Sequence, residues 1–121
     1  MNRSRVFNVT QDGATLVVAL PATAVTFADE EIQAELEGIL ERVKVPTIGH
    51  VVLDFNACPY FGSAVLIALF ALKDQVKEKQ GRFAMCNASQ IGREILQTAK
   101  LDTTFPYFES QAEALAAVLE A

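Results

Sequence analysis

Hydrophobic and polar positions follow two rhythms along the chain, one of short extended runs and one of helical period, and the switches between them mark out the elements. Val6, Val9 and their neighbours lead into Asp12-Gly13, a pair that tolerates positive φ in a tight turn, and residues 14–20 follow as a β-branched apolar run. This pattern predicts a hairpin. Pro21 and the small residues after it break the strand, and Thr26 stands where it can cap a helix, with Asp29 three positions on. Over residues 29–44, Ile32, Leu36, Ile39, Leu40 and Val43 recur at helical spacing, while Glu31, Gln33, Glu35 and Glu37 take the other faces. An amphipathic helix is expected there, ended by Pro46 and Gly49.

Residues 51–55, Val-Val-Leu-Asp-Phe, form a short apolar run suited to a central strand covered on both faces. Cys58-Pro59-Tyr60-Phe61-Gly62 reads as a bend. Residues 63–79 then predict a second helix whose stretch 64–72 is apolar nearly all round, so that burial on most sides is expected, and Gly81 stops it. Residues 82–86 give another strand, and Asn87 or Ser89 can cap a third helix carrying Ile91, Ile95, Leu96 and Ala99. Residues 104–108 are a weaker strand, and Pro106 within it argues for a sheet edge or a bulge. Ser110-Gln111-Ala112-Glu113 has capping-box spacing, and Leu115, Val118 and Leu119 line the apolar face of a terminal helix.

The order β-β-α-β-α-β-α-β-α predicts an α/β fold. A small, mostly parallel sheet is joined by right-handed crossovers after an opening antiparallel hairpin. No internal repeat, low-complexity tract or linker interrupts residues 1–121, so one domain is expected.

Composition narrows the function. The 10 basic and 15 acidic residues leave a formal charge of −5, which opposes the counterion release that drives binding to nucleic acid or anionic lipid. Neither partner is expected. The acidic residues gather around 29–41 and in the last dozen positions, as on solvated helix faces; an acidic docking surface is the alternative. Two cysteines, Cys58 and Cys86, and one histidine, His50, cannot assemble a four-ligand zinc set, so no structural metal is expected. Both thiols adjoin predicted strands, where buried reduced Cys is ordinary, in keeping with a cytoplasmic protein. The basic start leads into a strand pattern instead of a signal peptide, and the longest apolar run, residues 64–72, is far short of the ~20 residues that span a bilayer.

Candidate chemistry is sparse. Phosphate-binding glycine spacings are absent, and Phe61-Gly62-Ser63-Ala64-Val65 lacks the flanking glycines of a nucleophile elbow. His50 and Asp54 stand at opposite ends of one predicted strand, roughly 13 Å apart at ~3.3 Å per residue. No catalytic residues and no cofactor are therefore expected. Asp54 lies near the carboxyl end of a parallel strand, where α/β sheets present ligand-facing groups, although a structural or capping role is the more ordinary one there. The junction from Tyr60 to Leu66 places Gly62 and Ser63 just before the second helix. Unpaired amides and partial positive charge at such a helix start favour an anionic group, so Ser63 is either a plain N-cap or a tolerated phosphorylation site.

At this junction the chain resembles the STAS domain, the family named from sulfate transporters and anti-sigma factor antagonists. The resemblance extends from the opening hairpin and acidic helix through Val51-Val52-Leu53-Asp54-Phe55, residues 60–69, residues 81–86 and residues 101–105 to the terminal box at 110–115. It implies a compact strand-helix superhelix that binds partner proteins, typically a serine kinase that is also an anti-sigma factor. The family loop before the second helix usually reads Asp-Ser-Ser-Gly or Asp-Ser-Thr-Gly, with the second hydroxyl phosphorylated. The matching positions here are Gly62-Ser63-Ala64-Val65: Ser63 takes the first hydroxyl position, and Ala64 stands at the modified one. Either the protein binds constitutively or Ser63 has taken over the role.

The expected function is a non-enzymatic regulatory module that docks through Asp54, Tyr60, Phe61, Gly62, Ser63 and Ala64 onto an anti-sigma factor or related signalling protein, with a homodimer compatible with that role. The alternative is a small-molecule or nucleotide sensor using the same helix N-terminus.

Overall fold

Gly13 adopts φ of +60° at the tip of the opening hairpin, the conformation its lack of a Cβ permits. The turn brings β1 (Asn8–Asp12) antiparallel to β2 (Thr15–Ala19), with Thr10 opposite Val17. The structure, a computed structural model, describes residues 7–20, 28–58, 61–100 and 106–119. After the hairpin come α1 (Asp29–Lys44), β3 (His50–Asp54), α2 (Ser63–Glu78), β4 (Phe83–Cys86), α3 (Gln90–Thr98), β5 (Tyr107–Phe108) and α4 (Gln111–Leu119). The sheet order is β1-β2-β3-β4-β5, and every pair after the first is parallel. This is the α/β order read from the sequence.

Strand alternation separates two cores. Leu16, Val18, Val51, Leu53, Phe83 and Met85 face one side, where α1 contributes Ile32, Leu36, Ile39 and Val43, α2 contributes Val65, Leu69 and Leu72, and α3 contributes Leu96. Val17, Val52, Ala84 and Cys86 face the other side, covered by Ala114 and Val118 of α4. The ends of α1 and α2 are tied together: the Lys79 ammonium donates to the carbonyls of Val43 and Val45 (2.7 Å) at the end of α1 and of Ile48 in the turn that follows.

Several local expectations change. Thr26 lies outside the described residues, and the N-cap of α1 is Ala28, whose amide donates to Glu31 Oε1 at 3.0 Å. Of the two candidates for capping α3, Ser89 does so, its Oγ accepting from the Gly92 amide at 3.0 Å. The weak strand reduces to Tyr107–Phe108, with residues 101–105 outside the described part. The apolar first half of α2 is buried on most sides, through Ala64, Val65, Ala68, Leu69 and Leu72 with Leu66 and Ala71 half-buried, but it leaves a narrow strip open on which Ile67 is 53% and Phe70 41% exposed. Leu119, expected on the apolar face of α4, is also exposed. Among the described residues, no helix is long and apolar enough to cross a membrane.

Candidate functional site

The junction before α2 is built on a strained loop held from several sides. Asn56 and Ala57 both take positive φ, 52° and 53°, immediately after β3, a conformation that costs a residue with a Cβ roughly 1–2 kcal/mol. Hydrogen bonds from flanking segments hold them there. The Ala57 amide donates to the Asn87 carbonyl at 2.8 Å, and the Cys58 amide turns back to the Phe55 carbonyl at 2.8 Å. Ser89 Oγ donates to the Cys58 carbonyl at 3.0 Å. Ala57 and Cys58 of the loop after β3 are thus bound to the loop after β4.

Asp54 is the anchor of this arrangement. Its side chain is buried, and by register it lies on the α4 side of the sheet with Val52 and Cys86. One carboxyl oxygen accepts from the Asn56 amide at 2.7 Å and from Asn87 Nδ2 at 3.1 Å, and the other accepts from Gln111 Nε2 at 2.9 Å. Asn87, also at positive φ (61°), serves here as a donor. Burial and the neighbouring Asp54 carboxyl push the Cys86 thiol up to about 12.

Phe61 is the second support. Its ring stacks on Phe55 with centroids 4.9 Å apart and an interplanar angle of 22°, and it is sealed from solvent. Gly92 makes room for it, since a Cβ there would stand 3.2 Å from the Phe61 ring. Above this base α2 begins with Gly62 as N-cap, so Ser63 is the first helical residue instead of the cap. No side chain caps that end, and no acidic residue stands in its first turn, so the partial positive charge of the helix start is uncompensated by its own side chains.

The six residues singled out from sequence therefore divide. Ser63 is exposed and Gly62 half-buried, whereas Asp54, Phe61 and Ala64 are buried and cannot themselves touch a partner; Tyr60 lies outside the described residues. The buried positions frame the tip and do not form its surface. Exposed residues that sequence reasoning missed are Asn56 and Ala57 of the strained loop and Ile91 at the start of α3. Only Asn56 carried any signal, as a residue type that tolerates positive φ. His50, at the far end of β3, accepts from the Arg82 amide through Nδ1 at 3.0 Å and takes no part in this tip. Among the described residues no group of three or more His, Cys, Asp and Glu side chains could hold a metal ion.

A family model described as the STAS domain matches residues 6–114. No curated protein sequence matches the chain. Among solved structures, an anti-sigma-factor antagonist (STAS) domain protein from Planctomyces limnophilus is similar with a TM-score of 0.80 and 26% identity, over 93% of this chain and 97% of that one. An anti-sigma factor antagonist from Mycobacterium paratuberculosis shares 24% identity at a TM-score of 0.73, covering 93% of this chain and 92% of that one. The unphosphorylated form of the anti-sigma factor antagonist SpoIIAA shares the fold at 15% identity and a TM-score of 0.76, over 93% and 96% of the two chains.

Proposed function

The chain belongs to the STAS domain family, and on that premise we propose that it is a non-catalytic cytoplasmic regulator that captures an anti-sigma factor of the serine-kinase kind through the tip of α2. The observation that supports this reading most directly is the contrast between Ser63 and its neighbours. Ser63 stands exposed on a base made rigid by buried Phe61, Ala64 and Asp54. A docking element needs that combination, because a pre-ordered surface gives up little conformational entropy on binding.

The same contrast bears on phosphorylation. The family's usual acceptor position holds Ala64, which is buried and has no hydroxyl to modify; Ser63 is the exposed hydroxyl at this junction. A phosphate on Ser63 adds about −1.5 to −2 charge at a helix start that tolerates it, leaving the fold intact and altering what the partner meets.

Isothermal titration of the purified chain against purified serine-kinase anti-sigma factors from the same genome tests the proposal. Capture by one of them, weakened at least about tenfold by Ser63→Glu and retained by Ser63→Ala, supports it, tenfold being about 1.4 kcal/mol. Equal affinity of Ser63→Glu and the parent would remove the site, and no capture by any of them would remove the partner class.

A further inference from the structure

Ser63, Ile67, Phe70 and Asp74 are all exposed on α2. At 100° per residue they fall within about 60° of arc, forming one straight stripe on the helix. Scattered exposed apolar side chains are ordinary, but here an isoleucine and a phenylalanine adjoin at the centre of the stripe with a polar residue at either end. The spacing is self-complementary. The midpoint between positions 67 and 70 is also the midpoint between 63 and 74, and it falls between Ala68 and Leu69. Half-buried Leu66 and Ala71 flank the stripe about that same point, a large residue set against a small one.

We infer that α2 packs antiparallel against α2 of a second copy of this chain, about a two-fold axis through that midpoint. Reversal brings Ile67 of each copy against Phe70 of the other, and it brings Asp74 of each copy to Ser63 and the α2 N-terminus of the other. Charge favours this pairing. The helix start has partial positive charge, a glycine cap without a side-chain bond and no acidic residue of its own in the first turn, so Asp74 from the second copy supplies what is lacking. Asp74 pairs with Lys73 of its own helix at 3.3 Å, and its side chain stays 68% exposed and open to this contact. The two Asp74 carboxylates lie at opposite ends of the interface and do not repel each other at close range; the Ser63-to-Asp74 span is about 16 Å at 1.5 Å per residue.

One helix pair buries less than the ~1,200 Å² at the low end of stable interfaces, so the dimer is weak, with Kd on the order of 10 μM to 1 mM. Because Ser63 lies inside the interface, a phosphate there faces Asp74 of the second copy and drives the dimer apart. The pairing does not depend on the identity of any other partner.

Sedimentation equilibrium of the purified full chain between about 10 μM and 1 mM tests it, with far-UV circular dichroism verifying that each variant is folded. The parent should show a monomer–dimer equilibrium, and Phe70→Lys or Ile67→Lys should be monomeric throughout. Ser63→Asp and Asp74→Lys should each weaken dimerisation by about five- to tenfold, through two symmetric contacts. Combined, they should restore it to within about twofold of the parent, because unlike charges then meet. A parent that is monomeric at 1 mM, a Phe70→Lys variant that dimerises as the parent does, or a double variant weaker than either single one would overturn the inference.

Discussion

Asp54 at the end of β3 and Gln111 at the start of α4 are joined by a 2.9 Å hydrogen bond from Gln111 Nε2 to Asp54 Oδ2, which fastens the α4 side of the sheet to the loop leading into α2. The other carboxyl oxygen is occupied by the Asn56 amide and Asn87 Nδ2. Asp54→Ala leaves three donors without their acceptor and should cost about 2–4 kcal/mol. Asp54→Asn should cost under about 1 kcal/mol: its carbonyl keeps the Asn56 and Asn87 bonds, and the Gln111 amide can turn its oxygen toward the new NH₂. Urea denaturation of both variants checks this, and an equal loss in the two would show that the corner needs the carboxylate itself and that a neutral side chain of the same shape does not replace it.

Two glycines should respond in opposite directions to the same substitution. A Cβ on Gly81 would stand 1.7 Å from the Gly49 carbonyl oxygen and 2.9 Å from its carbonyl carbon, so two backbone segments would have to separate. Gly81→Ala should lose about 3 kcal/mol or more, or fail to fold. On the exposed face of α1 a Cβ at Gly38 meets nothing within 4 Å. There Gly38→Ala should gain about 0.5–1 kcal/mol, because it removes helix-opposing backbone freedom without adding a clash. Thermal melts of the two variants would show the contrast, and a stable Gly81→Ala protein would contradict the close approach.

His50 gives the stability a pH dependence that can be isolated, since it is the chain's one histidine. Burial first, and then the nearby Arg82 charge, hold its imidazole below the ordinary value of 6.5, and Nδ1 acts as an acceptor, which only the neutral ring can do. The unfolded chain therefore takes up the proton first as pH falls. The contribution is fully present above about pH 6.5, declines below it, and levels off once the folded state also protonates. Urea midpoints at pH 7.5 and about pH 5.5 should fall further for the parent than for His50→Gln, the difference between the two cancelling the carboxylates common to both. An equal fall would show that His50 is not linked to folding.

The elements were legible because each buries a face at its own period: Ile32, Leu36, Ile39 and Val43 on α1 and the apolar run of β3 could be read one residue at a time. The frame of the candidate site was less so. Asp54 takes donors from positions 33 and 57 residues away, and no local pattern announces such a meeting. The strain at Ala57 was hidden for the same reason, since alanine has no preference for positive φ and is held there by the loop after β4. Helix α2 shows the converse difficulty. A segment apolar all round has no periodic face, so its sequence could not tell which side the fold would leave open, and Ile67 and Phe70 emerged as exposed only once α1 and the sheet had taken the others. Ala64 marks where family pattern and geometry meet: the departure from the family's hydroxyl was visible at once, but its burial was not.

The two cysteines should be inert and unable to pair. Cys58 belongs to the core under α1 and α2, and Cys86 to the core under α4, so the sheet lies between their surroundings. Both are outside any disulfide and sealed from solvent, and the Cys86 thiol, pushed up to about 12 by burial and by Asp54, is almost wholly protonated at pH 8. In native protein at that pH, neither should react with Ellman's reagent on the timescale of minutes, whereas both should react at once in 8 M urea. Oxidant should likewise leave the free-thiol count of the folded chain unchanged, because a disulfide needs the two Cβ vectors to point toward each other and these side chains lie in separate cores. Rapid labelling of one thiol in the native state would mean that the core on its side opens locally. Oxidative loss of both thiols from monomeric protein would mean that the strands separating the two cores do not lie as described.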